Sequence, residues 1–220
     1  MASITYSIKR AVFLKMKAAM IGYFKQKSAE VPKFELDKRH IANLKVLLDR
    51  EELLELMPKN GVVAELGVNK GEFSEKILSI CQPQKLHLVD IWGSERYNQD
   101  IRKSVEKKFE KEISAGKVEI NLGLSSDVVE KFSDNYFDWI YVDTDHTYQT
   151  TKAELEKYQS KIKPGGIIAG HDYILGNFEG MMKYGVKEAV YEFCKNHDWE
   201  IIHLTMENNI PPSFAIRRIS

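Results

Sequence analysis

Residues 137–173 read FDWIYVDTDHTYQTTKAELEKYQSKIKPGGIIAGHDY: an apolar run ending in acids, a helix-like stretch, and a second apolar run ending in His171-Asp172. Open α/β sheets bind ligands at the carboxyl ends of their strands, which is where this pattern puts acids and imidazoles. Asp143 and His171 are 171 − 143 = 28 residues apart, about one strand-helix-strand unit. The two polar clusters are therefore expected to meet in space.

Outward from this segment the alternation continues. Strands are expected at GVVAELG (61–67), KLHLVD (85–90), KVEINLG (117–123), FDWIYVD (137–143) and GGIIAG (165–170), with helices near 71–81, 97–114, 125–132, 150–162 and 185–196. Near-continuous apolar strands separated by helices mean a parallel sheet covered on both faces. Right-handed crossovers make a doubly wound topology the economical one. WEIIHL (199–204) and SFAIRR (213–218) are separated by eight residues that include Pro211-Pro212, too few for a helical crossover. They are expected to pair antiparallel, giving an α/β fold with a doubly wound, mostly parallel seven-stranded sheet and an antiparallel last strand.

Upstream, residues 1–29 carry six basic side chains (Lys9, Arg10, Lys15, Lys17, Lys25, Lys27) and no acid, with Ile8, Val12, Met16, Met20 and Phe24 recurring every fourth position. The pattern predicts a basic amphipathic helical arm over 1–36. Such a helix packs on its own domain or on a partner subunit, so a homodimer through the arm is expected. Attachment to a membrane surface is the less favoured reading. Ile41, Leu44, Leu47 and Leu48 then suggest one helical face, and Leu53, Leu54 and Leu56 a second segment closed by the turn at Pro58–Gly61.

The 32 basic and 32 acidic residues of this 220-residue chain cancel, which argues against nucleic acid as the main partner. Cys81 and Cys194 stand in no metal-ligand spacing and read as buried thiols in a reducing, cytoplasmic setting. No apolar run approaches the ~18 residues of a membrane span, and the lysines near the start argue against a secretory leader.

Three groups of residues carry chemistry. Glu65-Leu-Gly67-Val-Asn-Lys-Gly71 ends the first strand and opens the first helix; its glycines permit a sharp turn and close approach to a ligand. It is neither G-x-G-x-x-G nor a P-loop, which disfavours a phosphate cradle. Asp90 closes the second strand, 90 − 65 = 25 residues after Glu65, where an acid accepts hydrogen bonds from vicinal ribose hydroxyls. Gly123-Leu-Ser125-Ser126-Asp127 follows the third strand; Ser125 suits a cap for the next helix, and its side chain and neighbouring amides could also reach a base edge, the two roles being compatible.

E-x-G-x-x-x-G, an acid after the second strand, G-x-S after the third and a final antiparallel pair together resemble the class I S-adenosylmethionine-dependent methyltransferases, over about residues 40–220. The resemblance implies a Rossmann-like methyltransferase domain over 37–220. It places Glu65, Gly67 and Gly71 around the methionine part and sulfonium, Asp90 on the ribose, Ser125 and Ser126 at the adenine and Asp143 beside the cofactor, with Trp92 either an apolar wall for the base or part of the core. Asp143-Thr-Asp145-His146-Thr-Tyr148 and Gly170-His171-Asp172-Tyr173 are similar to the divalent-metal O-methyltransferases of the catechol type and of the macrocin and novobiocin sugar type. That similarity implies a divalent metal, Mg²⁺ or Mn²⁺, on Asp143, His171 and Asp172. His171 stands where those relatives usually carry Asp. Mg²⁺ prefers an all-oxygen set, whereas imidazole suits softer ions, so either His171 ligates a softer metal or it hydrogen-bonds substrate while Asp145 completes an oxygen set.

His146 occupies the position of the catechol-type catalytic lysine and suits a general base at neutral pH; His171 and Asp143 complete the expected catalytic set. His40, His87, His197 and His203 read as structural. The expected reaction is methyl transfer to a hydroxyl of a sugar, phenol or polyketide, with a metal-free acid-base mechanism, a non-catalytic cofactor-binding assembly protein and, more weakly, a nicotinamide enzyme left open. The segment Ile174–Gly185 reads as an acceptor lid, with Gly176, Gly180, Met181 and Met182 for mobility and Tyr173, Phe178 and Tyr184 as acceptor contacts.

Overall fold

A computed structural model describes residues 2–177 and 182–219. The expected lid residues Phe178, Gly180 and Met181 lie outside the described residues.

In chain order the elements are α1 (Ala2–Ala29), β1 (Lys45–Leu47), α2 (Arg50–Leu56), β2 (Val62–Leu66), α3 (Glu72–Lys76), β3 (Lys85–Asp90), α4 (Gln99–Lys108), α5 (Glu110–Ser114), β4 (Val118–Leu122), α6 (Ser125–Val128), β5 (Phe137–Val142), α7 (Tyr148–Tyr158), β6 (Ile162–Gly170), β7 (Gly176–Asn177), β8 (Met182–Lys183), α8 (Val186–His197), β9 (Trp199–Thr205) and β10 (Phe214–Arg218). The main sheet has strand order β1-β9-β10-β6-β5-β2-β3-β4. β10 runs antiparallel to both neighbours, and the other described pairs of this sheet are parallel. Strand order reverses between β2 and β5, and at such a switch point the loops part to leave a crevice.

The sheet therefore has eight strands rather than seven. Lys45–Leu47 is an extended edge strand, parallel to β9 with Leu47 opposite Thr205. The helical face expected there is absent: Ile41 and Leu48 are exposed, and only Leu47 of the four is buried. Asp49 explains the start of the next helix. Its carboxylate accepts from the Glu51 and Glu52 amides, both at 2.9 Å, so the chain must be extended up to that cap. The helix expected over 97–114 breaks at Phe109 into α4 and α5.

Both faces of the sheet are buried. Ala64, Leu66, Ile140 and Ile168 pack with Leu155, Tyr158 and Phe193 from α7 and α8. Val63, Leu88, Trp139 and Tyr141 pack with Leu53, Phe73 and Val105 from α2, α3 and α4. Cys81 and Cys194 are buried and free. Two covered faces are what near-continuous apolar strands require.

α1 is helical as expected but is not a one-sided amphipath. A four-residue step advances about 40° around a helix, so the stripe from Ile8 to Phe24 winds across its surface. Tyr6, Ile8, Phe13, Leu14 and Ile21 are all exposed. The arm meets the rest of the chain at β8, with Phe24 beside Gly176. Among the described residues no helix is long and apolar enough to cross a membrane.

Candidate active site

The strand ends around the switch point are tied together by backbone hydrogen bonds. The Asp143 amide donates to Leu66 O at 2.7 Å, the His171 amide to Val142 O at 3.0 Å, the Gly67 amide to Val89 O at 2.9 Å and the Gly123 amide to Asp90 O at 3.0 Å. Side chains following β2, β3, β4, β5 and β6 are thus held along one edge of the sheet.

The 28-residue spacing does bring its two clusters together. His146 Nδ1 lies 3.1 Å from Asp172 Oδ2 and 4.0 Å from Asp143 Oδ1. His171 Nδ1 lies 3.4 Å from Asp172 Oδ2 and 3.7 Å from Asp143 Oδ2. Ligand atoms of Asp143, His146 and Asp172 all fall within 4.8 Å of one another, a separation that suits one metal ion. His146 thus joins the two acids expected as ligands, and His171 Nδ1 lies at comparable distances from both of them. His146 and Asp172 both have left-handed backbone conformations, φ 61° and 56°. Non-glycine residues held this way carry strain, and such strain concentrates at functional sites.

The electrostatics fit a paired acid-imidazole cluster. Burial raises the Asp143 carboxyl above its ordinary range, with the charges of His171 and His146 acting the other way. At Asp172 burial also works upward, but a hydrogen bond from His171 and the charges of both histidines hold the carboxyl below its usual value. Tyr184 covers the cluster, its ring 4.9 Å from that of His146, and the Gly185 amide donates to His146 O at 2.8 Å. Tyr184 and Gly185, at the end of the segment read as a lid, therefore lie against His146. Tyr173, partly buried, packs at the edge of the core against Phe214, at 5.7 Å.

On the other side of the switch point, Gly67 has φ 89°, and a Cβ there would lie 1.9 Å from Asp143 O. This glycine is required by the crossing of two strand ends. Gly71, φ 71°, is likewise closed against Phe109 at 2.8 Å. Glu65 is buried, accepts a hydrogen bond from the Ser74 hydroxyl, and is pushed up to about 8 chiefly by burial. Asp90 staples the glycine loop: Oδ2 accepts from the Val68 amide at 2.8 Å and the Asn69 amide at 3.0 Å, and Oδ1 from the Trp92 amide at 2.8 Å. Trp92, expected as a wall for the base, is a fully buried core indole whose Nε1 donates to Asn69 O at 3.0 Å.

Ser125 is not the helix cap, because Leu124 takes that position. Its hydroxyl donates to Glu154. The Ser126 hydroxyl makes only a long contact with Asp127, at 3.5 Å.

Two residues escaped the sequence reading. Arg50 opens α2 with its guanidinium 4.8 Å from the centre of the Phe73 ring. Its charge acts on Tyr141, Glu65, Asp143 and Asp172. No local motif marks it, since only the packing of α2 on the sheet brings it there. Glu154 was legible as an acid within the inward stripe Thr151, Glu154, Leu155, Tyr158, all of them buried.

This fold and this arrangement of strand-end acids define an S-adenosylmethionine-dependent methyltransferase. Residues 64–173 match a methyltransferase-domain family, half of the chain, and the protein belongs to that family. The fold is shared with a protein assigned as an rRNA methylase from Clostridium thermocellum (TM-score 0.59, 18% identity, 78% of this chain and 94% of that one). It is shared with a Streptococcus mutans methyltransferase-like protein solved with SAH (0.57, 14%, 77% and 96%), and with an Aquifex aeolicus SAM-dependent methyltransferase (0.57, 14%, 83% and 94%). No curated protein matches the chain significantly.

Proposed function

We propose that the protein transfers the methyl group of S-adenosylmethionine to a hydroxyl of a small molecule or sugar. The observation that carries this reading is the convergence of Asp143, His146 and Asp172 beside the glycine loop. An oxygen nucleophile must lose a proton as it attacks the methyl carbon, and two carboxylates with an imidazole at the strand ends can bind and deprotonate a hydroxyl.

The cofactor would lie across the switch point. Asp90 uses three of its roughly four lone-pair positions on the loop, leaving acceptor capacity for a ribose hydroxyl. Gly67 and Gly71 shape the methionine side. Glu65 faces the cationic end, and Arg50 reaches the carboxylate, the planar guanidinium being suited to that group. Ser126 and the backbone of Ser125 border the adenine.

The donor set of two carboxylates and one imidazole fits a divalent cation, and the nitrogen favours Mn²⁺ over Mg²⁺. Asp143, His146 and Asp172 would hold such an ion, which would supply Lewis acidity toward the acceptor hydroxyl. A metal-free reading is favoured by one distance: His146 Nδ1 is within hydrogen-bond reach of Asp172, 3.1 Å. That pairing orients the ring and leaves Nε2 to take the acceptor's proton. The two readings compete for the same Nδ1 atom.

Methyl transfer to a panel of hydroxylated acceptors, with and without chelator, in wild type and Asp143→Ala, separates them. The metal reading expects both chelator and Asp143→Ala to lower turnover by ~10²-fold or more, the range of a lost catalytic proton or charge interaction. Full activity of Asp143→Ala refutes the cluster's role. Turnover that survives chelator and fails in His146→Ala selects the metal-free reading.

A further inference from the structure

Glu154 has no exposed surface, yet the chemistry above makes no use of it. A carboxyl buried beside Leu155 and Tyr158 is costly unless hydrogen bonds satisfy it, and its two oxygens are divided between two different loops. Oε1 accepts from the hydroxyl of Ser125, after β4, and Oε2 accepts from the hydroxyl of Thr144, after β5, at 3.0 Å. The same helix adds two more ties to the first loop. The Tyr158 hydroxyl donates to Ser125 O at 3.1 Å and Lys157 Nζ to Ser126 O at 2.7 Å.

Both partners adjoin functional groups. Thr144 follows Asp143 and precedes His146 by two positions, while Ser125 and Ser126 are the residues proposed above to border the cofactor's base. A carboxyl serving only to anchor α7 has no need to span both loops. We infer that Glu154 is a positioning residue that fixes the cofactor's base segment, Ser125–Ser126, relative to the loop carrying Asp143 and His146. Its consequence is geometric: in-line displacement tolerates little error between donor and acceptor, and a misplacement of about 1 Å can lower the rate ~10²-fold. Burial also pushes the Glu154 carboxyl up to about 7, against the two hydroxyl hydrogen bonds, so the joint is sensitive to the loss of either donor.

The inference rests on Ser125–Ser126 bordering the cofactor's base, and its test uses S-adenosylhomocysteine alone, so neither metal nor acceptor enters. Affinity is read by calorimetry and the His146 ring by NMR, in wild type, Glu154→Gln, Glu154→Ala and Thr144→Val. Glu154→Ala is expected to weaken binding ~10-fold, the size of one or two buried hydrogen bonds, and to abolish the change that the ligand induces in the His146 ring resonances. Glu154→Gln, which keeps an accepting oxygen and the side-chain volume, should restore most of both.

Thr144→Val, the variant least liable to misfold, leaves the Ser125 bond intact. It should bind the ligand within a few-fold of wild type while uncoupling His146. Wild-type affinity together with an unchanged His146 response in Glu154→Ala and Thr144→Val overturns the positioning role alone. Failure of the wild type to bind S-adenosylhomocysteine overturns the cofactor reading and this inference with it.

Discussion

Gly67 ties the fold to the site, and replacing it with alanine tests that tie. The added Cβ would sit 1.9 Å from Asp143 O and 3.2 Å from Thr144 N, against a floor near 3.0 Å for real Cβ contacts. One strand end must therefore move by about 1 Å, the difference 3.0 − 1.9. Two effects add. Left-handed backbone at φ 89° costs an alanine ~1–2 kcal/mol, and forcing an extra carbon into packed backbone costs ~1–3 kcal/mol more. The expected destabilisation is thus ~2–5 kcal/mol, a large share of a domain's ~5–15 kcal/mol. Gly116→Ala isolates the first effect: its φ is 72° and nothing lies within 4 Å of the added atom, so it should lose only ~1–2 kcal/mol. Urea unfolding of the three proteins measures the differences. Gly67→Ala should also bind S-adenosylhomocysteine more weakly even where it is fully folded, because the shift falls on Asp143. If Gly67→Ala is destabilised no more than Gly116→Ala, the strand-crossing argument is wrong.

Arg50→Leu keeps a side chain over Phe73 but removes the cation. Losing a charge-assisted hydrogen bond of ~1.5–3 kcal/mol should weaken S-adenosylhomocysteine ~10–100-fold, while a decarboxylated analogue should bind wild type and variant alike; equal losses for both ligands would refute the assignment. His87 provides a pH signature in stability. Burial against Phe132, Tyr136 and Phe137 lowers its imidazole to about 4, with Glu119 acting upward and Lys85 downward. The unfolded chain binds this proton near ~6.5 and the folded protein only near 4, so stability is intact above ~6.5 and declines as pH falls toward 4, by ~3 kcal/mol in all. His87→Phe should flatten that part of the urea-midpoint profile, and parallel profiles for the two proteins would show that another group dominates.

Much of the architecture was legible because burial on both faces leaves a strong mark. Strands such as Leu86–Val89 and Phe137–Val142 are apolar but for His87 and Asp138, and the short link before Ser213 forced the antiparallel pair. The strand at Lys45–Leu47 was not legible. Three residues give no periodicity, and its state is decided by the free edge of β9. The break at Phe109 was equally hidden, since that ring is claimed by the backbone at Gly71.

For the site, the sequence alone determined which residues would gather. Glu65, Asp90, Ser125, Asp143, His146, His171 and Asp172 all stand at strand ends, and a parallel sheet collects its strand ends on one edge. Their roles belonged to the tertiary structure. Folding brought both His146 and His171 within reach of Asp143 and Asp172, Glu154 of α7 took the Ser125 hydroxyl, the core took Trp92, and α2 delivered Arg50. Periodicity and spacing act along the chain and report which edge a residue reaches. Which atoms meet there depends on torsions a few residues wide and on helices arriving from distant sequence, and neither leaves a local pattern.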